Sequence, residues 1–268
     1  MTSTCPSGFP AASGTVTVRA SADEQVATIL IDRADQLNAL TLDLLADLDD
    51  ALAEIADSPA RVVLVRTAGE KAFCVGADIK VFSRLAPEEM WRRWIASGHR
   101  TFDRLAGLPQ PTIAVVDGLA LGGGLELAMS CDLRIAHRRA EFGLPETGLG
   151  TIPGWGGTAR LTDLAGPSRA KHLILTRRRI DADTALAWGV VNSVADDLEA
   201  AVGGFVRDLL DSAPIAQQVA KQLVDAAAAG APSSVLEAIA SGFTAHTADF
   251  REGVRAFTAR ATPQFQGR

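Results

Sequence analysis

Cysteine is scarce in this 268-residue chain: Cys5, Cys74 and Cys131, at irregular spacing. That pattern fits neither a disulfide framework nor a zinc site, and free thiols in a reducing compartment are the simplest reading. Histidine is equally thin. His99, His137, His172 and His246 stand apart, with no HExxH pair or comparable ligand spacing, so no metal is expected. Basic charge is also short. With 26 lysines and arginines against 32 acidic residues, the net charge of −6 argues against a general nucleic-acid binder, which needs a basic face for phosphates. The run Arg177-Arg178-Arg179 is a local exception and reads as a solvated loop. No apolar run reaches the length of a membrane span. The opening residues, MTSTCPSGFPAASG, lack the basic start and apolar core of a secretory signal and the arginines of a mitochondrial presequence. A disordered tail over residues 1–14 of a cytoplasmic protein is the expectation. No internal repeat or low-complexity linker is visible.

What is present is the balance of a globular chain: 47% hydrophobic and 22% charged residues, in a length able to bury a substantial core. Thr15 to Arg19 and Val26 to Ile31 read as strands joined by the polar turn Ala22 to Gln25. A helix follows from Leu42 to Ala56, with Leu44, Leu45, Leu48, Leu52 and Ile55 at helical spacing and Thr41 as its N-cap. Val62 to Val65 is a compact strand, and Pro87 to Leu105 reads as one helix. Met90, Trp91 and Trp94 on it either shape a pocket or pack in the core. Later segments read as helices at Ser168 to Thr176, Asp181 to Trp188, Leu198 to Asp211, Ile215 to Ala229, Ser233 to Thr247 and Phe250 to Arg260. A short strand is expected at Val190 to Val194.

The most informative stretch runs from Pro111 to Thr158. Thr112 to Val116 reads as a buried strand, after which Gly122, Gly123 and Gly124 open a helix. That helix, Leu125 to Ser130, carries no charge except Glu126, so it has no polar face and Glu126 is expected to be buried. A buried carboxylate needs a partner or a raised pKa. Complementing the helix macrodipole would account for the charge, but not for three glycines that let another molecule approach the backbone. Glu146 lies beyond the strand Leu133 to Ala136, which can return the chain past Glu126. Neither glycine cluster has the lysine and spacing of a phosphate-binding P-loop.

Four blocks carry a family resemblance: KAFCVGADIK, VDGLALGGGLELAMSCDLRIA, FGLPETGLGTIPGWGGTARL and REGVRAFTAR. Their order and spacing resemble the enoyl-CoA hydratase/isomerase (crotonase) family from about Val16 to Phe265. The resemblance implies an α/β fold, a ββα spiral core over residues 15–197 and a C-terminal helical region over 198–268 used in trimerisation. It also implies an oxyanion hole made by the N–H groups of Ala77 and Gly123, flanked by Gly76 and Gly122. Glutamates corresponding to Glu126 and Glu146 serve the family's hydratases, and the residue matching Gly154 positions water through its N–H. Beside it, Trp155 either narrows the pocket or packs.

The loop corresponding to Asp32 to Leu40 binds coenzyme A in the family, which nominates Arg33, Ala39 and Leu40. Ala34 stands where a proline is usual. Asp78, Ile79 and Lys80 follow the first donor, although Lys80 reads equally as a solvated residue. Phe257 and Arg260 match the C-terminal segment, the arginine in reach of coenzyme A, including that of a neighbouring subunit. The implied reaction is hydration of a 2-enoyl-CoA, with no cofactor beyond the coenzyme A moiety and no nucleic acid or membrane partner. A homotrimer or a dimer of trimers is implied. The rivals are enoyl-CoA isomerisation, which commonly runs with one glutamate at the position matching Glu146, other crotonase-type reactions, and non-catalytic acyl-CoA binding.

Overall fold

The computed structural model describes residues 14–268, so all but the last residue of the expected tail lies outside the described residues. Strands β1 (Thr15–Ala20) and β2 (Val26–Asp32) form the expected antiparallel hairpin, with Thr15 opposite Asp32. Helix α1 (Leu42–Ala56) starts at Thr41, whose Oγ1 accepts from the N–H of Leu44 at 3.2 Å. The cap supplies one of the acceptors that a helix start otherwise lacks.

From there the chain winds three times through one pattern. β3 (Val62–Thr67) leads to β4 (Ala72–Cys74), then to α2 (Ile79–Phe82), α3 (Pro87–Glu89), a π-helical turn Met90–Ile95 and α4 (Ala96–Ala106). β5 (Thr112–Val116) leads to β6 (Leu119–Leu121) and α5 (Gly123–Met129). β7 (Leu133–His137) leads to β8 (Glu141–Gly143), a 3-10 turn at Glu146–Leu149, and helices α6 (Gly157–Ala165) and α7 (Pro167–Thr176). After β9 (Ile180–Asp181), α8 (Ala182–Ala187) and β10 (Ser193–Ala195) come α9 (Leu198–Leu210), α10 (Pro214–Ala228), α11 (Ser233–Thr244) and α12 (Ala248–Ala259).

Each winding gives one strand to each of two sheets. The larger has the order β1-β2-β3-β5-β7-β10 and the smaller β4-β6-β8-β9. Apart from the β1–β2 and β8–β9 pairs the strands are parallel. This is the expected ββα spiral, and its repeat is one of geometry rather than of sequence. Strand periodicity sorts the apolar residues: Val63, Val65, Ala114 and Val116 enter the main core, while Val62, Leu64, Ile113 and Val115 form a second cluster with Val202 of α9. Helix α9 thereby covers the outer face of the large sheet.

Three features go beyond or against the expectations. Pro87 to Leu105 is helical throughout, as expected, but six of its residues, Met90–Ile95, take the wider π winding. The strand expected at Val190 to Val194 lies at Ser193–Ala195; Val190 and Val191 instead close α8 with N–H bonds to the carbonyl of Ala185 and are buried. The small sheet was not anticipated, since strands of two or three residues show no period.

Candidate active site

The site lies beyond the carboxyl ends of β4 and β6. These strands are parallel neighbours, with Ala72 paired to Leu119 and Cys74 to Ala120, so the chain leaves both at one place. Gly76 has φ +93°, a conformation that side chains resist, and a Cβ on it would stand 2.9 Å from the nitrogen of Gly123. A Cβ on Gly124 would strike the carbonyl of Cys74. Glycine at these points lets the two backbones meet.

The meeting leaves two free donors. Leu40 donates to the carbonyl of Gly76 at 2.7 Å and accepts from Asp78 N–H at 2.9 Å, a ladder that skips the N–H of Ala77. Gly123 is the first residue of α5, where an N–H has no intrahelical acceptor. Among the described residues neither N–H has a hydrogen-bond partner, and both residues line one cavity of about 80 Å³.

The cavity also holds both glutamates. Glu126 is 2% exposed. Its Oε1 accepts from the N–H groups of Trp155 and Gly157, each at 2.7 Å, while Oε2 has no bond within the described chain. Burial pushes its pKa up, against the opposing pull of those two N–H groups and the positive charge of Arg160. Glu146 begins the 3-10 turn, and its Oε2 is buried without a partner among the described residues. Burial, aided by the charge of Glu126, pushes Glu146 up to about 7. The charge of Glu126 thus adds to the shift at Glu146, which links the two carboxyls electrostatically.

The raised pKa of Glu146 has a consequence for stability. A carboxyl whose folded pKa lies near 7 rather than 4.5 favours the folded state while protonated, and that advantage is lost as pH rises from 4.5 through 7. Glu146→Gln, which cannot ionise, escapes the loss. The variant is expected to gain stability relative to the native chain between pH 5 and pH 8, by up to about 3 kcal/mol. Urea denaturation at those two pH values checks this; an unchanged difference would show that Glu146 ionises freely.

Aromatic side chains close one wall. Trp94 and Trp155, each 2% exposed, stack at 5.3 Å between centroids, with Phe102 and Phe82 edge-on at 5.4 and 6.1 Å. Trp155 Nε1 donates to the carbonyl of Trp94 at 3.3 Å. Trp155 thus both packs and borders the cavity, whereas Trp91 is 63% exposed and does not line it. Gly98 makes the room, since a Cβ there would meet the indole of Trp155.

The remaining nominated residues divide. Gly76, Ile79, Gly122 and Gly154 line the cavity, and Lys80 is exposed beside it. Arg33 is held within its loop. It is 7% exposed, pairs with Asp78 Oδ2 at 2.8 Å and donates to the carbonyl of Ala39 at 2.9 Å. Asp78 in turn caps α2. Arg33, Ala39, Leu40 and Asp78 brace the loop that presents Ala77. Phe257, 87% exposed, and Arg260 on and after α12 do not line the cavity within one chain. Sequence reasoning missed Gly157, Ile95 and Ile152; only the repeated glycine in GWGGT signalled a turn built for close approach.

Comparison with known proteins now decides the kinship. The enoyl-CoA hydratase/isomerase family profile matches residues 21–268. The chain belongs to that family. It is 43% identical to the short-chain-enoyl-CoA hydratase of Clostridium acetobutylicum over 75% of this chain and 78% of the relative. It is 39% identical to the crotonyl-CoA hydratase of Syntrophomonas wolfei, over 91% and 95%. The crystal structure of an enoyl-CoA hydratase from Bacillus anthracis superposes with a TM-score of 0.90 at 38% identity, covering 95% of this chain and all of that one.

Proposed function

We propose that this enzyme adds water across the 2,3 double bond of a short-chain 2-enoyl-CoA to give the 3-hydroxyacyl-CoA. The observation that carries the reading is the convergence of two N–H groups without partners among the described residues, the buried Glu126 and the half-buried Glu146 on one small cavity. With the thioester oxygen between the N–H groups of Ala77 and Gly123, the β-carbon becomes electrophilic. The negative charge that grows on the oxygen meets donors already in position, which need not reorganise.

Glu126 is assigned as the base. Both N–H bonds fall on its Oε1, which favours the ionised form and leaves Oε2 to take a proton from water held with the N–H of Gly154. Glu146, pushed up to about 7, is assigned as the acid that delivers a proton to the α-carbon. The protons balance: one leaves water for Glu126, and one leaves Glu146 for carbon. Isomerisation would need only one of these carboxyls, so the two N–H groups committed to Glu126 favour hydration.

The tryptophan wall and the small cavity support a short acyl chain, in keeping with the names of the two relatives. No cofactor beyond the coenzyme A moiety is invoked. The exposed apolar residues of the C-terminal helices, including Ile239, Phe243, Phe250 and Val254, support assembly into trimers or paired trimers, where Phe257 and Arg260 would reach a neighbour's coenzyme A. Among the described residues no helix is long and apolar enough to cross a membrane. The buried free thiols Cys74 and Cys131 suit the reducing cytoplasm. A series of 2-enoyl-CoA substrates tests the reading: kcat/KM is expected to be highest for crotonyl-CoA and to fall as the chain lengthens, and a preference for long chains would overturn the short-chain assignment.

A further inference from the structure

The turn that holds Glu126 is itself held. Trp155 and Gly157 aim their N–H groups at one carboxylate oxygen only because the chain reverses between them at Gly156, where φ is +99°. Arg160, one turn into α6, folds its guanidinium back over that glycine. Its Nη1 donates to the carbonyl of Trp155 at 2.8 Å, and a Cβ on Gly156 would collide with the same nitrogen. Its Nη2 donates to Asp103 Oδ1 on α4 at 2.7 Å. The arginine side chain is 18% exposed and the aspartate side chain 65%. The link thus runs from a surface carboxylate, through a largely buried cation, to the Trp155 carbonyl, which lies in the turn between the two N–H groups that grip Glu126.

We infer that Arg160, tied outward to Asp103, is a positioning residue for the reaction: it fixes the Trp155–Gly157 turn so that both N–H groups stay on Oε1 of Glu126 while Oε2 faces the substrate. The inference rests on the hydratase reading, in which Glu126 is the base. Arg160 itself does not line the cavity. A residue that merely packed would need neither the carbonyl bond nor the alignment across Gly156. Its charge acts in the same direction as its geometry. The charged and titratable groups acting on Glu126 are Arg160 from α6, His99 from α4 and Glu146 from the 3-10 turn, and Arg160 and His99 both favour the ionised form, Arg160 the more strongly.

The test compares kcat, KM and pH profiles of Arg160→Gln, Arg160→Lys and Asp103→Asn with those of the native enzyme on crotonyl-CoA. Arg160→Gln is expected to lower kcat by up to roughly 10²-fold, as a base displaced by a fraction of an ångström would, with KM nearly unchanged. The acid limb of kcat/KM, which reports ionised Glu126, moves to higher pH. Arg160→Lys keeps the charge, so the acid limb returns toward its native position. Asp103→Asn, at an exposed position that leaves the core untouched, gives a smaller loss in the same direction and guards against a misfolded Arg160 variant.

The deciding arm is the Glu126→Gln background. There Arg160→Gln is expected to cost little further activity, because the base it positions is gone. Equal losses in both backgrounds, or an Arg160→Gln enzyme with native kcat and an unmoved acid limb, would overturn the inference. A native enzyme that fails to hydrate crotonyl-CoA would instead overturn the hydratase reading itself.

Discussion

Glu126→Gln and Glu146→Gln each lower kcat for crotonyl-CoA hydration by roughly 10²-fold or more, the usual scale for losing an acid or a base. The two losses have different causes. Glutamine at 126 can still accept from Trp155 and Gly157 through its carbonyl oxygen, so the turn survives, but it cannot take a proton from water. Glutamine at 146 fills the same half-buried space but has no acidic proton for the α-carbon. Because base and acid act on one water and one double bond, the double variant loses little more than the worse single one. Circular dichroism and KM should stay near native for both. Near-native rates in both single variants would remove the carboxyl pair from the mechanism.

Ala77→Pro lowers kcat/KM by about 10² to 10³, the scale for deleting one oxyanion donor. Ala77 is the better place for this substitution. Proline at 123 would also delete a donor, but its Cβ would stand 2.5 Å from the Trp155 ring, so lost packing would mix with lost catalysis. The N–H of Ala77 has no partner among the described residues, and the ladder passes through Leu40, Gly76 and Asp78, so the loop keeps its own hydrogen bonds. Affinity for free coenzyme A, which has no acyl oxygen, should change far less than kcat/KM. A comparable loss in both would place the effect of the substitution in binding rather than in charge stabilisation.

Parts of the fold and of the site were legible in the sequence. Glu126 stood out because a helix with one charge and no polar face has to be buried, and it is. Gly122, Gly123 and Gly124 were read as room for another molecule and Gly76 as an unusual turn; in the structure Gly76 and Gly124 also let the segments after β4 and β6 meet. The cap at Thr41 and the amphipathic α1 followed from local rules that tertiary packing did not override. Strands β4, β6, β8 and β9 are too short for alternation to register, so the second sheet, which aligns the two donors, was hidden.

Arg33 shows a different limit. The resemblance nominated it for coenzyme A, but its ion pair was not legible, because such partners are set by contacts between loops and Asp78 lies 45 residues further along the chain (78 − 33). The π turn at Met90–Ile95 has the composition of an ordinary helix. Nothing in its residues announces the wider winding that brings Trp94 and Ile95 together at the cavity.

The central claim is that this pocket adds water to a conjugated thioester. It is tested most directly by giving the purified enzyme crotonyl-CoA in water enriched in heavy oxygen and following both thioester absorbance and product mass. Rapid loss of the conjugated absorbance is expected, with a 3-hydroxybutyryl-CoA carrying one heavy oxygen atom at carbon 3 and both signals suppressed in Glu126→Gln and Glu146→Gln. Conversion to an unlabelled isomer, or tight binding with no change in absorbance, would contradict it.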